Sequence, residues 1–189
     1  WTHLARIDTP VPPGLLGSQR RNYGERLPKT ARVWTAELER RRERSFRIAE
    51  EVGLVALLRS ASLRAFAEAI AGRRLRARNG MQVLAYGTGD YAGPHNDHHP
   101  EEADARDGYL DLHVSLANRD VAHQWLVSEQ DGHFSRVSSV ATSGGITVYR
   151  LPFWHYVTPL AAKPGKAASA RRWLLLSTWL FRGAARSGR

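Results

Sequence analysis

The chain of 189 residues contains no cysteine and a single methionine. The first absence excludes disulfides, thiolate metal sites and a cysteine nucleophile, so that any metal must be held by nitrogen and oxygen. No apolar run approaches the roughly 18 residues that a membrane-spanning helix requires. Acidic residues are also scarce, with 18 Asp/Glu against 28 Lys/Arg and a formal net charge of +10. The shortage is uneven: residues 151–189 have 7 basic residues and no acidic one, residues 1–80 have 17 against 8, and residues 81–150 reverse the sign with 4 against 10. Such a basic balance raises the question of nucleic acid or another acidic partner. Nearly all of the positive charge is arginine, however, which a compositional bias of the source genome explains equally well.

The remaining composition, 42% hydrophobic and 24% charged, is that of an ordinary globular protein. One domain over residues 1–189 is expected, with enough length to bury a core, a cytoplasmic location and no membrane partner. Residues 1–30, with four prolines and several glycines, read as an extended arm. A helix is expected from Ala31 to about Glu51, on an apolar side made by Val33, Trp34, Leu38, Phe46 and Ile48. The charges from Glu39 to Arg44 would form its solvated face. A short turn follows over 54–59, then a second helix from Ser62 as N-cap to a stop at Gly72. Residues 31–80 thus form a helical support.

After Gly80 the pattern changes to short apolar segments separated by turn residues. Segments 81–86, 109–116, 124–127, 134–140, 145–150, 154–160 and 172–181 read as strands of a core spanning 81–181. Residues 161–170 read as a hairpin connection and 182–189 as a basic tail. Helices followed by a run of strands predict an α+β fold in which a sheet, closed on itself or sandwiched, has the helices against its outside.

The chemistry concentrates in Tyr86-Gly-Thr-Gly-Asp-Tyr-Ala-Gly-Pro-His-Asn-Asp97. His95 and Asp97 share a parity, so at an extended strand end both side chains leave one face. His155, in the apolar segment 151–159, is the best candidate for a third ligand. Two histidines and one carboxylate on one side of a metal leave positions open, the arrangement of non-haem Fe(II) oxygenases.

The same segments resemble the Fe(II)/2-oxoglutarate-dependent dioxygenases, particularly their prolyl 4-hydroxylase-like branch. A tyrosine stands nine residues before the histidine of His-x-Asp. Residues 144–155 are similar to the strand carrying the distal histidine, and Arg172-Trp-Leu-Leu-Leu-Ser-Thr-Trp179 to the closing strand with its leading basic residue. The resemblance spans roughly residues 50–181 and implies a double-stranded β-helix of the jelly-roll or cupin-like type. It implies that His95, Asp97 and His155 hold Fe(II), that Arg172 pairs with the distal carboxylate of 2-oxoglutarate, and that Tyr86 adds a hydroxyl to that carboxylate or lines the pocket. O2 would be the oxidant, succinate and CO2 the products, and ascorbate a supporting reductant. Because Asp97 retains the carboxylate, hydroxylation of a C–H bond is the implied outcome. The interval from His155 to Arg172 is long for the family, so Arg171, Lys163 or Lys166 are alternatives for the co-substrate.

Other polar residues have two readings each. His113 shares a face with Asp111 and Ser115, which either meets solvent or lines the interior as a substrate contact. Asp90 and Tyr91 stand near enough to His95 to touch substrate, although turn formation alone explains Asp90. His98, with His99, is either a partner of the ligands or an exposed loop residue. Trp125, Trp154, Trp173 and Trp179 are expected in the core. A zinc hydrolase would use the same three ligands and leave Arg172 and Tyr86 idle, and a cupin-like binding module would leave the ligand set without turnover. A nucleic-acid demethylase of this superfamily would need a second arginine where Thr178 stands. The substrate classes left are an amino acid, a peptide or protein side chain, or a small natural product.

Overall fold

Two-sided burial shapes this chain. In a computed structural model, which describes residues 4–8, 30–97 and 108–182, most long strands bury both faces. The strands are β1 (Ala5–Asp8), β2 (Ala31–Glu37), β3 (Leu75–Gly87), β4 (Tyr91–His95), β5 (Tyr109–Ala117), β6 (Val121–His123), β7 (Trp125–Gln130), β8 (His133–Ser139), β9 (Ser143–Leu151), β10 (His155–Val157), β11 (Ala161–Ala162) and β12 (Arg171–Phe181). Three helices, α1 (Arg44–Glu51), α2 (Leu54–Leu58) and α3 (Ala61–Ala71), lie between β2 and β3.

Ten strands form one antiparallel sheet in the order β8-β7-β10-β4-β2-β3-β12-β5-β9, with β1 added beside β2. The sheet curls into a jelly-roll. Its bend lies at residues 87–90, where the chain leaves β3 and continues as β4. One strand, β2, runs past both: Thr35 pairs with Leu84 of β3, and Ala31 with Ala92 of β4. Each wall contributes to one interior cluster, Leu84, Tyr86, Leu174 and Leu176 from one and Ala92, Leu126 and Val157 from the other.

The helices cover the outside of the β3-β12-β5 wall. Phe46, Ala49, Val55 and Leu58 pack on Ala36, Leu38, Met81 and Val83, and Ala67 of α3 packs on Leu110, Leu112 and Trp179. Residues of one parity on β3, β5 and β12 therefore face helices while those of the other face the interior.

Three sequence expectations need correction. Residues 31–37 are a strand and not the start of a helix, and only 44–51 are helical in that segment. Ala31 and Val33 face the interior while Ala36 and Leu38 meet the helices, and a strand wanted on both faces lacks the clean alternation that marks a half-buried one. The N-cap of α3 is Ser60, not Ser62: its hydroxyl accepts the Leu63 N–H at 3.1 Å. Strand β3 also begins at Leu75, within the stretch assigned to helical support. Gly72 does end α3, at φ +62°. Of the arm, residues 5–8 pair with β2. The rest of the arm up to residue 29, except Leu4, and the tail from residue 183 lie outside the described residues, as do His98 and His99. Among the described residues no helix is long and apolar enough to cross a membrane.

Candidate metal centre

Strand β4 contains Pro94, which has no N–H to offer the ladder, and past its end the backbone turns at Asp97, whose φ is +49°. His95, the last residue of β4, lies directly across the antiparallel pair from His155, the first of β10. Their ring centroids are 4.3 Å apart and tilted by 55°. The turn at residue 97 brings the carboxylate back over both rings: Asp97 Oδ2 is 3.4 Å from His95 Nε2 and 3.5 Å from His155 Nε2. The expected convergence of His95, Asp97 and His155 is thus present, produced by a left-handed turn rather than by strand parity alone. The three potential ligand atoms all lie within 4.8 Å of one another.

The tautomers follow from the other ring nitrogens. His95 Nδ1 is 2.6 Å from the Gly93 carbonyl and His155 Nδ1 is 2.9 Å from that of Phe153. A carbonyl can only accept, so each Nδ1 carries a proton and each ring turns its Nε2 towards the Asp97 carboxylate. Burial, followed by the neighbouring His95, lowers the His155 pKa to about 4 and keeps that ring neutral. Two Nε2 atoms and a carboxylate oxygen thus converge on one point, the donor set that a divalent metal takes. Two imidazoles and one carboxylate, each imidazole oriented by a backbone carbonyl, fit Fe(II) with its remaining positions open.

The cluster opens into a cavity of about 780 Å³ between the walls. Arg172 also lines it, 2% exposed. Its Nη1 donates to Gln124 Oε1 at 3.0 Å and its Nη2 to Ser115 Oγ at 2.9 Å. Burial pushes its pKa down, and among the described residues no carboxylate pairs with it. Such a cation calls for an anion from outside the protein. Tyr86 also lines the cavity, and burial raises its hydroxyl pKa to about 12, so that it stays a neutral donor. Of the alternatives to Arg172, Arg171 points its Nη1 at the Ala170 carbonyl, while Lys163 and Lys166 are exposed. None of the three lines the cavity.

His113 faces the interior and not solvent. Its Nε2 is 3.2 Å from Asp111 Oδ2 and 2.9 Å from the Tyr149 hydroxyl. Asp90 has no place in the cavity: it accepts both Arg6 Nη1 at 2.8 Å and Arg6 Nη2 at 2.7 Å, and the Gly87 N–H at 2.8 Å. It fastens β1 to the bend between β3 and β4. Tyr91 belongs to the β2-β4 ladder opposite Arg32 and does not line the cavity. Trp179 is in the core as expected, whereas Trp125 is 38% exposed and stacks on His123. Sequence reasoning missed Gln124 and Tyr149. Tyr149 was within reach, since it shares the alternation of β9 with Thr147; Gln124 gave no signal, one amide before an apolar strand.

No protein-family profile and no curated protein sequence matches the chain. Solved structures do. An oxidoreductase of the 2OG-Fe(II) oxygenase family from Burkholderia pseudomallei superposes with a TM-score of 0.57 at 16% identity, over 92% of this chain and 80% of that one. The non-heme alpha ketoglutarate dependent epimerase SnoN from nogalamycin biosynthesis gives 0.50 at 15% identity, over 94% and 77%. At such identities the shared property is the fold, a double-stranded β-helix.

Proposed function

We propose that the chain is an Fe(II)- and 2-oxoglutarate-dependent oxygenase that hydroxylates a C–H bond of an amino acid, a peptide or protein side chain, or a small natural product. One observation carries the reading: a cavity that holds both an open two-histidine, one-carboxylate cluster and a buried guanidinium with no acidic partner. A zinc hydrolase would explain the cluster and leave Arg172 buried without purpose.

His95, Asp97 and His155 would hold the metal, with Gly93 and Phe153 carbonyls fixing the two rings. Arg172 would receive the distal carboxylate of 2-oxoglutarate through its planar fork of donors. Gln124 and Ser115 hold that fork in place, and the Tyr86 hydroxyl stands ready as a further donor. Bound iron would supply oxidation by O2 coupled to decarboxylation of 2-oxoglutarate. Leu84, Leu174 and Leu176 keep water from the walls around it.

The test is calorimetric Fe(II) binding without oxygen, followed by succinate release from 2-oxoglutarate in air. Micromolar or tighter binding that Asp97→Ala removes, with succinate formed only by the unaltered chain, is expected. Absence of metal binding, or metal binding without any effect of 2-oxoglutarate, overturns the proposal.

A further inference from the structure

Of the charged side chains lining the cavity that have no part in gripping metal or co-substrate, one is buried. Asp111, on β5, is 4% exposed. Its Oδ2 meets His113 Nε2 at 3.2 Å, and His113 in turn meets the Tyr149 hydroxyl. Its Oδ1 is buried and, among the described residues, accepts no hydrogen bond. Leaving such an acceptor unmet costs about 1–3 kcal/mol, and folded proteins tolerate few of them. A donor delivered by a ligand would remove that cost.

Charge selects the kind of donor. With the imidazoles counted neutral, Asp97 and Arg172 balance each other, as do a doubly charged metal and a doubly charged dicarboxylate. The Glu37, Glu39, Arg76 and Arg78 side chains at the rim also balance in pairs. The Asp111 carboxylate is left over, on a part of the lining that it shares with Tyr109, His113, Tyr149 and Leu151. A buried carboxylate with one oxygen unmet favours a cationic donor over a neutral hydroxyl. Tyr149 places this cluster next to the metal centre, its ring centroid 5.6 Å from that of His155.

We propose that Asp111, held by His113 and Tyr149, forms a subsite for a protonated amine of the primary substrate. This rests on the oxygenase reading and narrows its substrate to amine-bearing compounds. Asp111 binds and orients, and takes no part in the oxidation.

The experiment pairs the common α-amino acids and linear diamines with their N-acetyl derivatives. Binding is measured by calorimetry on the Fe(II)- and 2-oxoglutarate-loaded chain without oxygen, and succinate release in air is measured in parallel. At least one amine is expected to bind tenfold or more tighter than its acetylated partner. Asp111→Asn, which preserves shape and removes charge, is expected to erase that preference and to raise KM for the amine at least tenfold, with a much smaller change in kcat. Acetylated compounds that bind as well as the amines overturn the subsite. So does a panel in which no amine binds while iron and 2-oxoglutarate still do, and so does a preference that Asp111→Asn retains. Failure of iron and 2-oxoglutarate to bind at all counts instead against the oxygenase reading beneath it.

Discussion

The guanidinium of Arg172 lies over the ring of Tyr86, 5.2 Å from Cζ to the ring centroid, and the two residues are paired across β12 and β3. The pair combines a buried cation with a buried hydroxyl. Replacing Arg172 by Gln removes the fixed charge and half of the fork. Charge-assisted hydrogen bonds contribute about 1.5–3 kcal/mol each, so affinity for 2-oxoglutarate should fall by about two orders of magnitude, with Fe(II) affinity largely retained. Paired titrations with metal and with 2-oxoglutarate check both halves. Equal losses of the two would instead indicate general disruption.

Tyr86 also predicts an alkaline effect. Its folded pKa of about 12 lies above the ordinary value of 10. The stabilisation from a protonated, buried hydroxyl is fully present below pH 10 and is lost as pH rises towards 12, because the unfolded chain releases that proton first. The contribution is at most about 3 kcal/mol. Denaturant unfolding between pH 9 and 12 should therefore show a fall in stability that is shallower in Tyr86→Phe.

Gly93 sits where a side chain cannot. A Cβ there would collide with Thr30 Oγ1, and the Gly93 N–H donates to the Thr30 carbonyl at 2.7 Å. Its own carbonyl orients His95. Overpacking costs about 1–3 kcal/mol, so Gly93→Ala should lower stability by that amount and also weaken metal binding. Thr30→Ala in the same chain should restore part of the stability. Thermal unfolding and metal titration of both variants check it.

Asp90 should separate stability from chemistry. Asp90→Asn loses the charge that holds Arg6 across the bend, which should destabilise the chain by about 1–3 kcal/mol. Metal and 2-oxoglutarate affinities at a temperature where the chain remains folded should stay within about twofold of the original. A larger change in either would return Asp90 to the cavity's business.

The candidate ligands were readable because their chemistry depends on residue type and order. His95 and Asp97 stand two apart beyond an apolar run, and His155 is one of few later histidines set in a strand-like segment. Arg172 came from the resemblance of its strand, and its parity with Leu174, Leu176 and Thr178, all of which line the same cavity, favours it over Arg171. Strand β2 was not readable, since Ala-Arg-Val-Trp-Thr-Ala-Glu must satisfy an interior on one side and helices on the other. Asp90 could not be assigned from its neighbours alone, because its partner Arg6 lies 84 residues away. The same distance problem hid Gln124, which meets Arg172 48 residues later.

Strand β2 carries no chemical group of its own, yet it stitches to β3 over one half and to β4 over the other. β3 neighbours the strand that bears Arg172, and β4 bears His95. The gap between the proposed anion grip and the proposed metal grip is accordingly gauged by a seven-residue seam. A one-residue slip of that seam would misalign both grips together, so damage there would mimic the loss of the active groups while every one of them remained in the chain.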